Sequence, residues 1–244
     1  MPCTRIAMWS GPRNISTAMM RSWEHRADAQ VWDEPLYPRW LSRNSIAHPG
    51  REEVLQAHQE DLDAEDLKRR LAGSPPESSI FYQKHMAHHL CPDTVGDWMA
   101  KCRHAFLVRR PDRVLCSLAA RYPEAGLEDT GLPQQVGLLN LLDSMGLPAP
   151  PVIDADDVLS APESMLRALC DALQVPWDRA MLSWPPGPRV SDGAWAPWWY
   201  DKVETSTGFG PPRDDTPEVP QAQQTVLAEC QQLYDQLCEF RIRL

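Results

Sequence analysis

Three groups of residues in this 244-residue chain have the types and spacing for chemistry on an anion. The first is Ser10-Gly-Pro-Arg-Asn-Ile-Ser-Thr17, a turn of breakers leading into Ile15, Met19 and Trp23 at helical spacing. First-turn N–H groups lack intrahelical acceptors and the helix dipole adds to them, so such a turn attracts anions. Arg13 adds a permanent charge, and Ser16 and Thr17 add hydroxyl donors. The second group is Arg109-Arg-Pro-Asp-Arg-Val-Leu-Cys-Ser117, where Pro111 suits a helix start directly after two cations. The third consists of proton- and charge-carrying side chains. Glu34 is fixed just after a short strand by Pro35, and Lys84 and His85 end another strand. Side chains alternate along a strand, so Lys84 and His85 point to opposite faces unless the strand has ended. The plainer reading of the same residues is capped turns, a solvated loop glutamate and cap histidines.

The elements that must position these groups alternate between strand and helix. Short apolar runs bounded by breakers predict strands at residues 5–9, 30–33, 79–85, 104–108 and 151–154. Helical spacing predicts helices from Ser16, over 51–71, 93–102, from Pro111, over 131–146 and 162–173, with a closing helix at 219–244. Residues 38–51 read as a loop. The fold class is α/β, a three-layer α/β/α arrangement about a central parallel sheet, with both anion turns and Glu34 at strand carboxyl ends, where such folds build sites. Residues 1–244 read as one domain. Within it, 184–220 is rich in Trp, Pro and Gly, and a loop that long and aromatic predicts a lid or wall over the site.

Composition narrows the ligand. A net charge of −10 argues against general binding to nucleic acid or anionic membrane, so any anion site is a local basic cluster in an acidic field. Seven Cys with no C-x-x-C pair read as reduced core thiols, neither a disulfide frame nor a zinc site. His85, His88 and His89 match no standard zinc spacing, so no metal is expected there. Asp154, Asp156 and Asp157 superficially suggest a magnesium-holding strand end but read equally as caps. No signal peptide or membrane span is apparent, and the expectation is a soluble cytoplasmic protein that takes a small-molecule acceptor, with a homodimer allowed. Triphosphate loops read G-x-x-x-x-G-K-[ST]; here Ile15 and Ser16 stand where that pattern needs Gly and Lys, which disfavours ATP with magnesium.

Taken together, the motifs resemble those of sulfotransferases that use 3′-phosphoadenosine 5′-phosphosulfate (PAPS), with their P-loop NTPase-like topology. Pro12-Arg-Asn-Ile-Ser-Thr17 is similar to that family's Pro-Lys/Arg-x-x-Thr/Ser-Thr loop. Arg109-Arg110-Pro111 with Ser117 is similar to its Arg-x-Pro followed by Ser eight residues after the Arg. The resemblance implies that the loop Gly11, Pro12, Arg13, Asn14, Ile15, Ser16 and Thr17 holds the 5′-phosphosulfate, and that Arg109 and Ser117 hold the 3′-phosphate. It further implies metal-independent, in-line transfer of the sulfuryl group to a hydroxyl or amine, leaving 3′-phosphoadenosine 5′-phosphate (PAP). Arg13 and Lys84 would stabilise the leaving oxygen. Many members carry Lys-Thr-His after the third strand, whereas this chain reads Lys84-His85-Met86, with His one position early. Other branches use a Glu soon after the first helix, the place of Glu34, so Glu34 is the expected base and His85 the runner-up. The family's C-terminal Arg-Lys-Gly element is absent, and Asp192–Lys202 stands in its place. A kinase with a degenerate loop and a catalytically silent nucleotide-binding module are the competing readings.

Overall fold

The computed structural model describes residues 3–46, 48–75, 77–120, 122–212 and 215–244. Strands β1 (Thr4–Ser10), β2 (Ala29–Asp33), β3 (Ile80–Met86), β4 (Cys102–Val108) and β5 (Val152–Asp154) form one sheet in the order β2-β3-β1-β4-β5. Every pairing is parallel. All carboxyl ends therefore share one edge, and the chain reverses direction across the sheet at β1, where α/β crevices form. The crossovers use α1 (Ser16–Glu24), α2 (Tyr37–Arg43), α3 (Arg51–Ala57), α4 (Ala64–Leu71), α5 (Pro111–Ala119) and α6 (Leu132–Ser144), and α7 (Ala155–Ser160) and α8 (Pro162–Ala172) follow β5. Two short turns, α9 (Ala196–Trp199) and α10 (Asp201–Glu204), precede α11 (Gln224–Cys238).

Alternation along the buried strands separates two cores. Ile6 and Met8 face α1 and α8 through Met19, Met20, Trp23, Leu166 and Leu169. Ala7 and Trp9 face α4, α6 and α11 through Leu67, Leu71, Leu138, Leu142 and Leu237. The central strand is sealed on both faces, which is why it reads as a continuous apolar run. Beyond α11 the chain runs beside β5: Val152 N–H donates to Phe240 O at 3.1 Å and Ile242 N–H donates to Val152 O at 2.8 Å. The sheet edge at β5 is thereby covered.

Five predicted elements differ. The helix expected over 51–71 is two helices, because Asp61 is buried at the break, ion-paired to Arg70 at 2.6 Å and 3.2 Å from His58 Nδ1, and Asp63 caps α4 by accepting from Asp66 N–H at 2.8 Å. The helix expected over 93–102 is 3₁₀ turns at Pro92–Thr94 and Met99–Lys101. There Thr94 Oγ1 exchanges hydrogen bonds with the Cys91 backbone, offering it an alternative to a helix. The loop expected over 38–51 contains α2, whose first turn accommodates Pro38 since its N–H is not needed there. The closing helix expected over 219–244 spans only Gln224–Cys238, and residues 184–220, expected as a loop, contain α9 and α10 packed in a cluster of Tyr37, Leu41, Val54, Trp195, Ala196 and Tyr200. Among the described residues no helix is long and apolar enough to cross a membrane.

Candidate active site

The first loop leaves β1 in a conformation few side chains adopt. Arg13 (φ 65°) and Ile15 (φ 56°) are both left-handed, with Asn14 between them. A β-branched residue there is strained by about 1–3 kcal/mol, and such strain gathers at functional sites. The loop is held from two sides. Asn14 Nδ2 donates to Leu107 O of β4 at 3.2 Å, while its Oδ1 is buried and, among the described residues, lacks a hydrogen-bond partner. On the other side, the turn before α6 presses on Gly11. A Cβ at Gly11 would stand 2.3 Å from Thr130 O, and one at Gly131 (φ 73°) would stand 2.8 Å from Gly11 Cα. Backbone blocks backbone here, so Gly11→Ala is expected to displace the loop. Affinity for an anionic ligand should fall at least about tenfold by calorimetry, with the fold retained by circular dichroism.

The second loop touches the first. Arg109 Nη1 donates to Arg13 O at 3.0 Å, and Arg13 Nε donates to Ser117 Oγ at 2.7 Å. Pro111 opens α5, so Ser117 lies within the helix that starts beside Arg109 and Arg110. Asp156 lies 3.5 Å from Arg109 and 3.0 Å from Arg113, and Asp154 caps α7 through Asp156 N–H. Arg110 turns aside to Asp112. Arg13 after β1 and Arg109 after β4 thus meet beside the N-termini of α1 and α5, and Asp156 joins Arg109 to Arg113 of α5.

The third group divides by strand alternation. Lys84 enters the edge of the sheet on the α1 side. Its ammonium spends three donors on Asp33 Oδ1 (2.8 Å), Glu34 Oε1 (2.6 Å) and Tyr200 OH (2.7 Å). Burial works against the Lys84 charge, but Asp33 and Glu34 outweigh it and hold its pKa well above the usual lysine value. Burial pushes the Glu34 carboxyl up, Lys84 pulls it back and Asp33 raises it; the net direction is up. Glu34 itself is left-handed (φ 40°), pinned by Glu34 N–H to Lys84 O at 2.9 Å, and its Oε2 stands 3.5 Å from His89 Nδ1. His85 points the other way. It is fully buried, stacked on Trp9 at 4.3 Å between ring centroids, and burial lowers its pKa well below the histidine range. His89 is likewise held neutral by burial.

Residues that the sequence reading left out complete this corner. Asp33 Oδ2 accepts from Tyr200 OH at 2.6 Å and from Gly193 N–H at 3.1 Å, and Trp195 Nε1 donates to Tyr200 OH at 3.2 Å. Strand alternation with Lys84 as register partner would have placed Asp33 beside the ammonium. Nothing local connects Tyr200 to β2, which lies 167 positions earlier.

A parallel sheet thus carries two touching loops and a carboxylate–lysine cluster along one edge. Two solved structures share the architecture: the sulfotransferase domain from the curacin biosynthetic pathway and that from the Synechococcus PCC 7002 olefin synthase. The first has a TM-score of 0.56 at 19% identity, over 97% of this chain and 98% of that one. The second has a TM-score of 0.55 at 15% identity, over 96% and 95%. The sulfotransferase-domain family profile matches residues 4–238, and the chain belongs to that family. Among curated proteins it is similar to two from Arabidopsis thaliana, the branched-chain-amino-acid aminotransferase-like proteins 2 and 1. Identity is 34% over 94% of this chain and 38% over 85% of it. This chain spans 40% and 37% of the length of those relatives.

Proposed function

We propose that this chain transfers the sulfuryl group of PAPS to a hydroxyl or amine of a small-molecule acceptor, with Glu34 as general base. The observation that carries the reading is the junction of the two loops, in which Arg13 donates to Ser117 and accepts from Arg109. One ligand with anionic groups at both ends satisfies both loops, and the 5′-phosphosulfate and 3′-phosphate of PAPS supply them. Gly11 to Thr17 then hold the sulfuryl end, and Arg109 with Ser117 the 3′ end. Asn14 Oδ1 and the first-turn N–H groups of α1 are polar groups such a ligand would engage.

Transfer is in line. The acceptor oxygen or nitrogen bonds to sulfur, its proton passes to Glu34, and the bond from sulfur to the bridging oxygen breaks with its electron pair left on the 5′-phosphate. Arg13, Lys84 and backbone N–H groups stabilise that developing charge. Glu34 is preferred over His85 because it opens onto the Lys84 side of the sheet edge, whereas His85 is sealed against Trp9.

A thermal-shift comparison of PAP with ATP plus magnesium tests the reading. PAP at 100-fold its dissociation constant should add about 2.7 kcal/mol and raise the midpoint by roughly 5–10 °C. A shift with ATP and magnesium alone would favour the kinase reading, and PAP binding without transfer to any acceptor would favour the silent module.

A further inference from the structure

We infer that Asp33 and Tyr200 are positioning residues for sulfuryl transfer: they hold the Lys84 ammonium by two of its N–H bonds, so that protonation of Glu34 releases the third toward the leaving oxygen. The inference rests on the proposed PAPS reaction and adds to it a coupling between its acid–base step and its charge-stabilising step.

An ammonium has three donors. All three are engaged, by Asp33, Glu34 and Tyr200, at 2.8, 2.6 and 2.7 Å, and the Lys84 side chain is 1% exposed. With Glu34 ionised, Lys84 has no donor left for another oxygen. When the acceptor's proton arrives on Glu34, the ion pair with Lys84 becomes a weaker bond from the ammonium to a neutral carboxyl. In the same step the sulfur-to-bridging-oxygen bond breaks and negative charge appears on the 5′-phosphate. The freed N–H then follows the charge. Atoms and electrons balance: one S–O or S–N bond forms, one S–O bond breaks, and one proton moves to Glu34.

The other two bonds must survive the exchange, and they are built to. Asp33 is 1% exposed at the side chain and carries two further donors, Tyr200 OH and Gly193 N–H. Burial and Asp33 hold the Tyr200 phenol well above its usual pKa, so it stays a neutral donor to Asp33 while accepting from Lys84 and Trp195. Tyr200 also makes the arrangement conditional on the segment around α9 and α10, since without that segment Lys84 loses one acceptor and Asp33 two donors.

The charged and titratable groups facing Glu34 are Asp33 from β2, Lys84 from β3, His89 after β3, Tyr37 from α2 and Tyr200 between α9 and α10. Asp33→Asn removes the one other carboxylate that, among the described residues, shares Lys84, and leaves Lys84 to Glu34. The Glu34 titration should then move to lower pH, by at least about half a unit. Two measurements read this. Carboxyl ¹³C chemical shifts follow Glu34 in the nucleotide-free protein, and the pH profile of PAPS cleavage with water as acceptor follows the reaction. Both midpoints should fall in Asp33→Asn, cleavage should drop at least tenfold, and the dissociation constant for PAP should stay within about twofold. Tyr200→Phe, which keeps the ring and its packing, should also lower the Glu34 midpoint and slow cleavage, and it serves if Asp33→Asn does not fold. An unmoved Glu34 midpoint in a folded variant, with only thermal stability lost, overturns the inference. If the wild type neither binds PAP nor cleaves PAPS, the parent reading fails instead, and the carboxyl titration still decides the coupling.

Discussion

Glu34→Gln is expected to slow sulfuryl transfer by about 10²- to 10⁴-fold while leaving PAP affinity within a factor of a few, because a positioned base contributes that much and the nucleotide loops lie elsewhere on the edge. The accompanying pH behaviour has a definite sign. Burial raises the Glu34 pKa, so the ionised, proton-accepting form accumulates only above the usual carboxylate range. The wild-type rate should climb with pH through that raised midpoint, and the variant's residual rate should not. For stability the sign is opposite. A carboxyl whose folded pKa is raised stabilises the fold below its unfolded pKa and loses that contribution as pH rises through the folded value. Glu34→Gln should therefore unfold no more easily than wild type at neutral pH, since Lys84 keeps Asp33 and the neutral amide avoids a buried charge. Full transfer activity in the variant would eliminate Glu34 as the base.

Lys84→Met is expected to be the most damaging single change to stability. Asp33 and Lys84 are each 1% exposed, and breaking a buried pair by deleting one partner costs about 3–5 kcal/mol, because the remaining charge is stranded. Tyr200 and Gly193 would still donate to Asp33, but neither carries charge. The wild-type Lys84 pKa lies well above the ordinary lysine value, so its contribution holds through neutral pH and fades only in strong alkali. Urea midpoints at neutral pH measure the difference. A loss below about 1 kcal/mol would mean that the cluster is not charged as the geometry implies.

The strands and the positions of the two loops that follow β1 and β4 were legible because a parallel sheet buried on both faces leaves uninterrupted apolar runs ending in breakers. Trp9 and Phe106, each fully buried, belong to such runs. Helix boundaries were less legible where a side chain redirects the backbone: Asp61 splits the segment after α3, and Thr94 turns the chain before β4. Pro38 reads as a breaker until its place in the first turn of α2 is known. The site was legible in proportion to how local it is. The left-handed Arg13 and Ile15 follow a visible turn, yet their conformation depends on Leu107 and Thr130, which only the folded sheet brings near. Tyr200 had no local signal, because its partners, Asp33 and Lys84, come from strands far earlier in the chain.

The run of backbone from Phe240 to Ile242 alongside Val152 has a temporal consequence. During synthesis at about 5–20 residues per second, everything the anion loops need has emerged long before that run is available. For several seconds the nascent sheet carries β5 with a bare outer edge, a template for pairing with other chains. The two loops can thus be assembled while the border at β5 is still exposed to aggregation.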